Sequence, residues 1–367
     1  MGCGAGNFAA KGRDQVIGTG VCCERCPGAT VAVTSTIARR RLYKAAVFSP
    51  PPPSAGRGWV AHGGSATPAH LYRVVTGQIV DVSPQVLVLG DASGERRFVL
   101  TPDATAWRGG PLTPSALRPG DDVVLRLRPG SPGIADRAWA NIGRVSGTIL
   151  RQDDDALVVS AGATWAKAAT SPQRVVVIPP HASGRIQVRF PNLRPGYLID
   201  VIGVQRGGVL QGLIPATSQP PYRSDRVPVP QSASGRLPES ITGAAIWHDS
   251  ADEPHGVLGV RYPALDPSNG CAEDRAAGFP PGHAPAYRDL PYLAVGSSLL
   301  VANECTGASW TFPITGCAPV ARLFNDRCLT CGTSPRGRVA DLTLASFVAL
   351  GGELETGCFN TTLTIGR

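Results

Sequence analysis

The stretch 70–218 carries one run of segments twice, and this limits the fold more than any other feature of the chain. VVTGQI (74–79) matches RVSGTI (144–149), and QVLVLG (85–90) matches DALVVS (155–160). FVLTPDA (98–104) matches VVIPPHA (176–182), and LRPGDDV (117–123) matches LRPGYLI (193–199). The offset is 70 residues in the first two pairs, 78 in the third and 76 in the last, as two copies of one unit with loop insertions would give. Within each copy the runs are short and β-branched. VVLRLR (123–128) and RIQVRF (185–190) alternate apolar with polar residues, the period of a half-buried strand. Each Leu-Arg-Pro-Gly corner is a turn that feeds the next strand. Each copy is therefore expected to close into a small barrel of about five or six strands, which leaves no exposed edge.

The rest of the chain divides around this pair. Its 367 residues exceed what one core organises. Gly (44) and Pro (34) together pass a fifth of the sequence, which favours short strands and tight turns over long helices. Residues 1–48 form a Cys-bearing head, and 49–69 a linker that opens on Pro50-Pro51-Pro52-Pro53. The two copies occupy 70–142 and 143–218. A Pro/Ser-rich linker follows at 219–238, then a C-terminal domain at 239–367.

The formal net charge is +8, almost all from arginine, and the one dense basic run is Arg39-Arg40-Arg41 with Lys44. No basic stripe with interleaved aromatics occurs, so no nucleic-acid partner is expected. No run of 18 apolar residues offers a membrane span. The first residues lack the apolar core of a signal peptide. The ten cysteines point the other way: four lie at the head and six in the last hundred residues. Even counts confined to small modules suit disulfides in an oxidising compartment, so an extracytoplasmic or secreted protein is expected. At the head, Cys3, Cys22, Cys23 and Cys26 leave two disulfides or one zinc ion as alternatives. No metal or cofactor is expected elsewhere.

Three C-terminal stretches carry a family resemblance: GAAIWH (243–248), YRDLPYLAVGSSLLVANECTG (287–307), and VARLFNDRC (320–328) followed by GRVADLTLASFVALG (337–351). Together they resemble the RlpA-like, expansin and barwin-like double-psi β-barrels. The strand, turn and LxPGD order of the repeats resembles tandem OB-like modules of bacterial surface proteins. The fold expected is all-β and multi-domain: two OB-like barrels, then a six-stranded double-psi barrel with a short helix.

The resemblance implies that Asp326 and Asp341 share an open groove, where one acts as general acid/base on a glycan or both hydrogen-bond to sugar. Read from spacing alone, Asp341 would cap the helix that Leu344, Phe347, Val348 and Leu350 outline. Tyr287, Tyr292, Trp310 and Arg338 are the expected substrate contacts. The barwin-like resemblance implies three disulfides among Cys271, Cys305, Cys317, Cys328, Cys331 and Cys358, with the pairing open. Tyr287 stands where RlpA-like enzymes carry a histidine. Binding of a cell-wall polysaccharide such as peptidoglycan is therefore expected first, a structural or inhibitory protein-binding module second, and lytic transglycosylase activity third.

Overall fold

The computed structural model describes residues 70–91, 94–153, 155–161, 172–224, 239–249, 256–265, 290–318 and 337–365. They form three small closed β-barrels, so the chain is all-β and multi-domain.

The first barrel uses β1 (Arg73–Val82), β2 (Val86–Asp91), β3 (Gly94–Trp107), β5 (Asp122–Leu127) and β6 (Ile134–Ala140), with the short β4 (Pro111–Leu112) added on β3. The second uses β7 (Ile142–Asp153), β8 (Ala156–Ala161), β9 (Gln173–Val177), β10 (Leu198–Arg206) and β11 (Val209–Pro215). In both, the first strand pairs antiparallel with the second and fourth, and the third runs parallel to the last. That is the OB-type ring.

The repeat extends to single hydrogen bonds. Ile79 N–H donates to Asp121 and Gly120 N–H to Ile79; in the second copy Ile149 N–H donates to Tyr197 and Gly196 N–H to Ile149. Gly120 and Gly196 take φ of 88° and 89°, the left-handed backbone that makes each Leu-Arg-Pro-Gly corner need its glycine. The first strand of each copy also bulges at the same place, after Ile79 and after Ile149.

One expected strand is a helix. RIQVRF (185–190) lies in α1 (Pro180–Arg189), between β9 and β10, and Phe190 closes it. Ala182, Ile186 and Phe190, four residues apart, are buried, while Val188 is 78 % exposed. A strand would have buried Val188 beside Ile186.

The third barrel uses β12 (Ser240–His248), β13 (Val260–Tyr262), β14 (Ser298–Asn303), β15 (Ser309–Cys317), β16 (Arg338–Thr343) and β17 (Cys358–Ile365). Its ring order is β12-β16-β13-β15-β14-β17. Exchanging β12–β14 for β15–β17 maps every pairing onto another: the parallel pair β12–β16 onto β15–β13, and the antiparallel pair β12–β17 onto β15–β14. This pseudo-twofold crossing of two parallel pairs is the double-psi arrangement. The short helix α2 (Leu344–Ala349) follows β16. Its N-cap is Thr343, whose hydroxyl accepts from the Ser346 N–H at 3.2 Å. Asp341 therefore does not cap it; it is a strand residue.

The first barrel has an interior of its own, including Leu87, Leu89, Phe98 and Leu125. The second and third share one. Val201 and Ile202 of β10 belong to the same apolar cluster as Trp247, Phe347 and Leu354, and Trp107 and Trp139 of the first barrel reach into it.

Candidate functional site

Where the third barrel meets the second, four charged side chains lie in the interior. Arg144 of β7 donates to Asp200 of β10 through two parallel bonds, Nε to Oδ1 at 2.9 Å and Nη2 to Oδ2 at 2.8 Å. Its Nη1 reaches across to the Trp247 and Gly357 carbonyls at 2.9 and 2.7 Å. From the other barrel, Arg338 of β16 donates to Asp200 and, at 2.6 Å, to the Thr217 hydroxyl, which in turn donates to Asp200 at 3.1 Å. Burial alone would push the Asp200 carboxyl up, but Arg144 and Arg338 outweigh it and hold it at about 2. Burial pulls Arg338 down to about 10, against the attraction of Asp200 and Asp341. Two guanidinium groups thus face two carboxylates, and each charge in the interior has an opposite one.

Asp341 carries this chain toward the surface. It is 1 % exposed, and its Oδ1 lies 2.9 Å from Nδ1 of His248, which is partly exposed. The parallel register puts Ile246 beside Asp341, so His248, two residues on, projects from the same face of the sheet. A buried carboxylate against Nδ1 fixes the orientation of an imidazole, as it does in acid–base pairs. In this pair His248 is the more accessible member, with 11 % of its side chain exposed against 2 % for Asp341.

The expected substrate contacts divide. Arg338 is wholly buried and committed to Asp200, Thr217 and Ser146, so it ties two barrels together rather than touching a ligand. Trp310 and Tyr292 are partly exposed and pack on the shared core; the Trp310 ring meets His70 edge-on at 6.0 Å. Asp326 and Tyr287 lie outside the described residues, so the pairing of Asp326 with Asp341 is not described. Cys271, Cys328 and Cys331 also lie outside them, as do the head cysteines. Among the described residues no three His, Cys, Asp or Glu side chains gather into a metal site, and no helix is long and apolar enough to cross a membrane.

Three residues of this chain of contacts were not among the candidates drawn from the sequence: Arg144 and Asp200 in the interior, and His248 nearer the surface. A signal for the first two was present in the repeat. By register, Arg144 and Asp200 stand where the first copy has Val74 and Val124. Here the charged pair that replaces an apolar one is the pair that Arg338 of the third barrel meets. No protein-family model matches this chain, and the search of curated proteins also returned no match.

Proposed function

We propose that the third barrel binds an extracytoplasmic cell-wall polysaccharide, with His248 as the polar contact that Asp341 holds in place. The observation that carries this reading is the His248–Asp341 pair, a partly exposed imidazole fixed at 2.9 Å by a buried carboxylate at the end of the parallel strands β12 and β16. Tyr292 and Trp310, partly exposed on the same barrel, supply ring surface of the kind sugars stack on. The resemblance of 320–351 to the RlpA-like and expansin barrels supports the same ligand class. The confinement of the ten cysteines to the head and the last hundred residues supports an oxidising compartment.

Binding is favoured over cleavage because Asp341 is buried, leaving Asp326 as the acid that glycan cleavage would need. A structural role has support of its own: Arg338 is spent on holding two barrels together.

Retention on purified peptidoglycan sacculi, chitin and cellulose tests the reading. The wild-type chain is expected to be retained on at least one polymer, and His248→Gln, which keeps a polar partner for Asp341, to lose about tenfold or more while still melting as a folded chain. Equal recovery of both in the unbound fraction would leave the structural role standing instead.

A further inference from the structure

A cleft of about 370 Å³ opens where all three barrels meet, and it is separate from the His248–Asp341 pair. Its apolar walls come from Trp107 and Pro111 of the first barrel and Leu213 of the second. The size and the apolar lining with a few charged groups are those of a small-molecule site, and junctions between domains are where such sites concentrate.

The charges around it are unevenly spent. On one side, Arg137 is occupied: it donates to Thr105 at 2.6 Å and to Glu355, and its Nε lies 3.2 Å from Glu353. Glu355 also accepts from the Trp139 indole at 2.5 Å. On the other side, His181 and Arg185 line the cleft from α1, one helical turn apart and both exposed. Among the described residues neither has an ion-pair or hydrogen-bond partner. One wall therefore presents uncompensated donors, and the opposite wall a carboxylate with lone pairs left over. Gly110, on the rim, has no atom within 4 Å of where a side chain would begin, and its φ is not in the left-handed region.

We propose that this cleft binds an acidic monosaccharide unit, its oxyanion on His181 and Arg185, its ring against Pro111 and Ile214, and its hydroxyls toward Glu355. The oxyanion is a carboxylate or a phosphate, which the same two donors recognise. The inference does not rest on the wall-binding reading, because no residue is common to the two sites.

Calorimetric titration of the full chain with glucuronate, glucose 6-phosphate and glucose tests it. These three ligands share a ring and differ in the oxyanion. At least one of the two acids is expected to bind tenfold or more tighter than glucose, and the stronger of them identifies the oxyanion. Arg185→Ala, an exposed change, is expected to remove most of that margin. Gly110→Leu is expected to abolish binding by filling the cleft, with a melting temperature close to wild type. Acids that bind no better than glucose would overturn the proposal. So would acid binding that neither Arg185→Ala nor a folded Gly110→Leu alters, since the ligand would then sit elsewhere.

Discussion

The Asp200 carboxylate has no contact with water and is held between guanidinium groups from two different barrels. Removing one partner from such a cluster leaves the others buried without compensation, which typically costs about 3–5 kcal/mol. Asp200→Asn is therefore expected to lower stability by that order in denaturant unfolding. Its pH dependence has a definite sign. The folded carboxyl sits at about 2, against an ordinary 3.8. A group depressed on folding stabilises above its unfolded value and loses that contribution as pH falls through the folded one. About 2 kcal/mol, complete above roughly pH 5, should disappear progressively between pH 4 and pH 2. Unfolding curves at pH 6, 4 and 3 measure it. In Asp200→Asn this component should be missing, and an unchanged acid limb would mean that other carboxylates govern it. Asp341 shows why the site was only partly legible at this scale. The motif singles it out as a candidate, but its burial and its histidine partner from a strand distant in sequence depend on a register that local spacing does not contain.

At the scale of elements, the repeat made most of the topology legible. Turn glycines and β-branched runs are local signals, and they placed the strands of both OB-type barrels. What failed was α1, because six residues that alternate apolar and polar also satisfy part of a helical period. The surrounding Pro179-Pro180 start and the buried Ala182 resolve it: positions 182, 186 and 190 form one helical stripe. Ile186→Ala is accordingly expected to cost about 2–5 kcal/mol. Val188→Ser, on the exposed side, should change stability by less than about 0.5 kcal/mol. Comparable losses from the two in thermal melts would restore the strand. A second test concerns the crossing of β7 over β8. A Cβ at Gly147 would fall 1.9 Å from the Ser160 carbonyl oxygen, whereas at the equivalent Gly77 it would fall 2.9 Å from that of Gly90. Backbone on the far side cannot move as a side-chain tip can. Gly147→Ala should therefore destabilise by about 3 kcal/mol and exceed Gly77→Ala, with melting temperatures giving the order.

At the scale of the whole molecule, the barrels are joined to unequal degrees. The second and third share a continuous apolar cluster and the Arg144–Asp200–Arg338 lock, so neither has a complete interior without the other. The first keeps its own interior and is fastened to the third through polar contacts just beyond α2. There Glu353 meets Arg126 at 2.5 Å and Arg137 at 3.2 Å, and Glu355 meets Arg137 and the Trp139 indole. Glu353 retains a third of its side-chain exposure, at 35 %, so its ion pairs are partly screened and modest singly. Both acids act on Arg137, so their loss should be cooperative rather than additive. Calorimetry of the wild-type chain is expected to show one transition. In Glu353→Ala with Glu355→Ala, the first barrel should separate as an earlier transition of its own, while the second and third continue to melt together at close to the original temperature. A single transition shifted as a whole would mean that Trp107 and Trp139, reaching into the shared cluster, hold the first barrel more firmly than the carboxylates do.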